Sequence, residues 1–139
     1  LTLWRTGASI FVDHWLTGIG PRGFRHVYAE YAQADDFWIK RIGSGQTHPH
    51  QFLLEIAVET GVIGLLAFVL FYGRLWRLLC SRSEGGVAPL WLLSALVAWL
   101  PLNAHLAFYG AYWSTLAWLV LAVGLAEAQP PAPVVAVVG

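Results

Sequence analysis

The sequence predicts an all-α, multi-pass membrane segment: three transmembrane helices plus an external region of short helices. Three observations carry that prediction. Hydrophobic residues make up 58% of the chain and charged residues only 12%, about half the charged share of an ordinary soluble domain, and mean hydropathy is +0.60. Residues 85–126 contain no Asp, Glu, Lys or Arg, a stretch long enough for two spans and a turn. Upstream, apolar residues recur at helical spacing among scattered charges, which suits helices lying at an interface.

The same composition excludes several classes. A formal net charge of zero gives no reason to expect a nucleic-acid partner. The single Cys80 rules out an intramolecular disulfide and cannot supply a cysteine-cluster metal site. No initiator Met and no charged leader precede the first helix, so there is no signal peptide to read. The chain is expected to be the C-terminal part of a longer multi-pass protein, with upstream helices of that protein among its partners.

Trp4, Ala8, Phe11, Val12 and Trp15 are three and four apart, which predicts a short amphipathic helix over about 1–14. Arg5 and Asp13 keep it out of the bilayer core, and Trp4 and Trp15 suit the headgroup level. A surface helix packed on another part of the protein fits the pattern equally. Positions 17–23 hold three glycines and Pro21, hence a turn. Its backbone N–H groups could approach a phosphate, or the turn could be tight and unliganded; no Gly-Lys-Ser/Thr follows, so it is not a nucleotide loop. Phe24, Val27, Tyr28 and Tyr31 predict a second helix running toward Trp38 and ending near Asp35 and Asp36. That carboxylate pair reads either as a solvated helix end or as ligands for a divalent metal. Lys40, Arg41, Gly43, Ser44 and Gly45 then form a polar, flexible approach to the next segment.

Thr47-His48-Pro49-His50-Gln51 begins polar and runs into an apolar stretch. Pro49 biases His48 away from helical angles and itself suits a first helical turn. A helix is therefore expected to start near Pro49, with His50 in its first turn at the membrane edge. An imidazole there, with an ordinary pKa of about 6.5, can accept a proton at neutral pH. The neighbouring Gln51 amide could orient a substrate hydroxyl. As metal ligands, His48 and His50 lack the i, i+4 spacing of a helical zinc site, and no Cys or well-placed Glu completes a shell; no metal is expected. His14 and His26 read as interfacial, and His105 as a turn residue.

The uncharged run 60–73 is shorter than the roughly twenty residues a span requires, so the first span is placed at about 56–78. Glu55 and Glu59 then lie at one boundary or face the protein, and Arg74 and Arg77 snorkel at the other. Gly61 and Gly64 give a small face for a neighbouring helix. Arg74, Arg77 and Arg82 against Glu84 make the next loop basic, which places it in the cytoplasm. Pro101, Asn103, His105 and Gly110 divide the uncharged stretch into spans at about 87–103 and 112–127. The proline-rich tail from Pro130 reads as disordered. The expected organisation is an external region at 1–52, three spans within 53–128 and a tail at 129–139. Counting from the basic loop puts His50, Asn103 and His105 on one external face.

His50-Gln51, nine residues, Gly61, two residues and Gly64 resemble the signature of the bacterial O-antigen ligase family. That family reads His, then Asn, Ser or Gln, nine residues, Gly, two residues, and a small residue or Tyr. Gly18-Ile19-Gly20-Pro21-Arg22-Gly23-Phe24 is similar to its preceding Gly-x-Gly-x-x-x-Phe element. Residues 101–110 and Tyr112-Trp113-Ser114 resemble its later external turn, so the likeness extends to about Ala128. The resemblance implies transfer of a glycan from a polyprenyl diphosphate carrier to a sugar or protein hydroxyl, as in lipopolysaccharide or surface polysaccharide biosynthesis. It implies a site on the periplasmic face of the inner membrane. His50 would be the general base, and Arg25, then Arg22, would hold the carrier diphosphate, with Lys40 and Arg41 adding to the field and no cofactor required. Two further arginines of the family pattern would fall before residue 1, so this segment is expected to hold part of an active site. The alternative from another class is a non-enzymatic membrane component, such as a polysaccharide exporter or permease subunit. A transporter would place polar residues near the bilayer midplane, whereas here they gather at one boundary.

Overall fold

The computed structural model describes residues 2–81, 87–100 and 110–129, and all regular structure among them is helical. The order is α1 (Thr2–Asp13), α2 (Phe24–Tyr31), α3 (Phe37–Ile42), α4 (Phe52–Ser81), α5 (Ala88–Ala98) and α6 (Ala111–Glu127). α1 lies where its spacing predicts. Leu3, Thr6, Gly7 and Ile10 are buried, one stripe at helical period, while Trp4 and Val12 are exposed.

The single helix expected from Phe24 toward Trp38 is two helices, and Asp36 is the reason. Its Oδ1 accepts the N–H of Trp38 at 2.8 Å and of Ile39 at 3.1 Å, capping α3, and its Oδ2 accepts the Tyr28 hydroxyl at 2.9 Å. A side chain that satisfies the first N–H groups of a new helix competes with continuing the old one. Asp36 is therefore a buried helix start, while Asp35 is exposed. Burial pushes the Tyr28 phenol up to about 12, with the bond to Asp36 adding to the rise. Lys40 and Arg41, expected in a flexible approach, occupy the last turn of α3, which Gly43 ends in a left-handed conformation at φ 82.

α4 starts at Phe52 and not near Pro49. His50 is left-handed at φ 52, so the chain turns before the helix begins. Gln51 is the cap: its Oε1 accepts the N–H of Leu54 at 2.5 Å, and its carbonyl accepts that of Glu55 at 2.9 Å. Pro49 is buried in the preceding loop, its carbonyl held by the Trp4 indole N–H at 3.1 Å.

α4 is also broken. Gly61 has φ 65 and ψ −163, a combination open essentially to glycine alone. An unbroken helix would pair the carbonyl of residue 58 with the N–H of 62, and 59 with 63. Here Val58 and Glu59 carbonyls accept the N–H groups of Ile19 and Gly20, both at 3.0 Å, while Val62 and Ile63 donate to the carbonyls of Trp15 at 2.8 Å and Leu16 at 3.4 Å. Backbone groups freed inside an apolar helix need such partners. A Cβ on Gly61 would stand 2.3 Å from the Leu16 carbonyl oxygen, and one on Gly18 2.3 Å from the Glu59 backbone. The small face expected at Gly61 is thus filled by the turn after α1 and not by another helix.

α4 is long and apolar enough to cross a membrane, and α5 and α6 are shorter apolar helices of 11 and 17 residues. Beyond the break, residues 62–81 alone give about 30 Å of helix, close to the hydrocarbon thickness. α6 coincides as a helix with the stretch expected at 112–127, whereas α5 ends at Ala98, short of residue 103. The basic loop with Arg82 and Glu84, the turn with Asn103 and His105, and the proline-rich tail lie outside the described residues.

Two apolar cores meet on the first half of α4. Val58, with Leu54 beside it, joins Leu3, Ile10, Phe24 and Tyr28. Phe52 and Ile56 join Phe68, Leu75, Leu92, Ala95, Leu96, Trp99, Ala117 and Leu121, tying α4 to α5 and α6. Residues four apart share a helix face, so Glu55 and Glu59 form a third face between the two cores.

Candidate functional site

The site grows from the interlock of turn and helix. Gly18 and Gly20 have φ 69 and 89, and Arg22 itself sits at φ 60. The Arg22 N–H donates to Glu59 Oε2 at 2.6 Å. Arg25 follows in the first turn of α2. This turn, the acidic face of α4 and the segment before it enclose a cleft of about 80 Å³, lined by Arg22, Arg25, Thr47, His48, Glu55, Glu59 and Gly110. The structure therefore brings together both arginines expected to hold a diphosphate. Lys40 and Arg41, on α3, do not line the cleft.

His50 stands at its rim. It is exposed and does not line the cleft, but its Nδ1 is 3.1 Å from His48 Nε2, with ring centroids 3.9 Å apart. His48 Nδ1 lies 2.9 Å from Thr47 Oγ1. Burial, with repulsion from His50 and Arg25 adding to it, pulls the His48 pKa down to about 4; His48 is neutral at pH 7. When its Nδ1–H donates to Thr47, its Nε2 accepts the Nδ1–H of His50, and His50 Nε2 keeps its lone pair. That is the arrangement of a base oriented by a second group.

Sequence reasoning placed Glu55 and Glu59 only at a boundary or facing the protein; both are buried and both line the cleft. Their spacing of four was the signal that they act on one face. The resemblance begins at His50, yet His48 is the histidine inside the cleft. Gln51, whose side chain is expected near a substrate hydroxyl, caps α4 through its Oε1. His14 and His26 are exposed away from the cleft.

Residues 1–69 match the family model described as O-antigen ligase. Over that stretch the chain belongs to the O-antigen ligase family. The match takes in α1, the glycine-rich turn, the cleft histidines and the break in α4, and it stops before α5, α6 and residues 101–114. No curated protein and no solved structure matches the chain. The O-antigen ligase spacing acquires a physical meaning here. His50 precedes the cap of α4, and Gly61, separated from Gln51 by nine residues, is where the first half-helix ends and the turn docks.

Proposed function

We propose that this protein transfers a glycan from a polyprenyl diphosphate carrier to a sugar or protein hydroxyl, at a site on the periplasmic face of the bacterial inner membrane. α5 and α6 would be the second and third spans. The single observation that carries the reading is the cleft itself. Two arginines and an oriented histidine pair meet at the head of a membrane-capable helix, within the O-antigen ligase segment.

In this mechanism Arg25, helped by Arg22, grips the diphosphate oxygens in paired N–H···O bonds and stabilises the charge that develops as the diphosphate leaves. The acceptor oxygen forms a bond to the anomeric carbon, and the bond from that carbon to the diphosphate oxygen breaks. The hydroxyl proton passes to His50 Nε2, whose ring is held by His48. The diphosphate departs on its lipid carrier, which the bilayer retains. Energy comes from the diphosphate leaving group, so no nucleotide enters.

The test is His50→Ala in the full-length, membrane-inserted protein. Transfer should fall roughly 10²–10⁴-fold, the range for losing a positioned base, with donor binding largely kept. His48→Ala should cost less, because it removes the orienting partner and leaves the base. Transfer at the wild-type rate by a correctly inserted His50→Ala protein overturns the mechanism.

A further inference from the structure

We infer that Glu59 is a positioning residue that sets the two cleft arginines, an inference resting on the diphosphate reading given above. Glu59 holds the glycine-rich turn twice. Its carbonyl accepts the Gly20 N–H at 3.0 Å, and its Oε2 accepts the Arg22 N–H at 2.6 Å. Between them stands Pro21, which has no N–H to offer. Glu59 is 2% exposed, so a buried carboxyl oxygen is committed to a main-chain amide that would be costly to leave unpaired.

What that bond holds in place is unusual backbone. Arg22 is left-handed at φ 60, a region that side chains other than glycine rarely adopt. The next residue, Gly23, supplies the carbonyl that accepts the N–H groups of His26 and Val27, so the turn passes its position on to the start of α2 and hence to Arg25. A negative side chain lining this cleft opposes a bound diphosphate, so the role inferred for Glu59 is one of geometry: an acceptor at this height on α4 fixes the turn at the point where the arginines leave it.

Two conservative variants separate geometry from charge in the full-length, membrane-inserted protein. Glu59→Gln keeps an oxygen at the same reach and removes the charge. Glu59→Asp keeps the charge, but its carboxylate is one methylene short of Arg22. With a purified polyprenyl diphosphate-linked glycan, donor KM should stay within about threefold of wild type in Glu59→Gln and rise roughly tenfold in Glu59→Asp, the scale of one buried amide left unpaired, with kcat changing less. Hydrogen exchange of residues 18–25 is the second readout, faster in Glu59→Asp and unchanged in Glu59→Gln. The opposite order, equal losses, or no change in either variant overturns the inference. A wild-type protein that transfers nothing, with the exchange order intact, would sink the transfer reading and leave the clamp standing.

Discussion

Replacing Gly61 with alanine tests the broken helix directly. At φ 65 and ψ −163 an alanine costs about 1–3 kcal/mol in backbone strain alone. Its Cβ would also stand 2.3 Å from the Leu16 carbonyl oxygen and 2.4 Å from the Leu16 carbonyl carbon, so the turn must move. The variant has one escape, which is to straighten α4. That restores two helical hydrogen bonds and forfeits the four that now join residues 58, 59, 62 and 63 to the turn. The net loss is two bonds at about 0.5–1.5 kcal/mol each, with the packing of Val58 against Ile10 and Tyr28 lost besides. Either route destabilises by about 2–4 kcal/mol. The control is Gly73→Ala, in the same helix with nothing within 4 Å of the added methyl; it should be neutral, or stabilising by about 0.5–1 kcal/mol. Thermal unfolding of the full-length protein in detergent compares the two. A cysteine placed at Thr17 should be labelled faster beside Gly61→Ala than beside Gly73→Ala. Equal melting and equal labelling would show that the turn does not depend on the break.

Arg25→Ala should weaken use of the lipid-linked donor, and Arg25→Lys should restore it only partly, since an ammonium cannot form the paired contact; donor titration reads this, and unchanged donor kinetics in both removes Arg25 from the site. His48 should make the cleft acid-sensitive. Its folded pKa of about 4 lies below its ordinary 6.5, so its contribution is whole above pH 6.5 and is lost as pH falls from there toward 4. Screening of this half-buried ring holds the effect to about 1 kcal/mol, and His48→Gln should flatten that part of a stability–pH curve. For orientation, a membrane-impermeant thiol reagent on intact cells should leave the exposed Cys80 unlabelled and label a cysteine at Ser44; the reverse pattern would invert the topology and move the site to the cytoplasm.

The elements that local pattern dictates were legible. α1 follows its spacing of three and four, and α6 follows from an uncharged run bounded by Gly110 and Glu127. What escaped depends on partners far along the chain. The end of α2 is decided by Tyr28 reaching Asp36, a pairing that a helical run of aromatics hides. Pro49 favours a helix start on its own, but the Trp4 indole and the Gln51 cap move that start three residues on. Gly61 looked like a packing face because sequence cannot say whether a backbone or a side chain will approach. At the site, Arg22 and Arg25 were expected near one another from their place beside the turn. The cleft carboxylates came only with the docking of the turn on α4, and His48 inside the cleft with His50 at its rim only with the left-handed turn at His50.

The docking of the glycine-rich turn into α4 is main chain against main chain. Of the residues whose N–H and carbonyl groups form it, Trp15, Leu16, Ile19, Val58, Val62 and Ile63 contribute nothing from their side chains to those bonds. These main-chain bonds therefore place their demand on two positions without side chains, Gly18 and Gly61, and on the count of residues from the Gln51 cap to Gly61. In a saturation library, positions 62 and 63 should accept most apolar residues, while a one-residue insertion or deletion between Gln51 and Gly61 should abolish accumulation of the folded protein. The register of the chain, more than the identity of its side chains, is what this joint makes heritable.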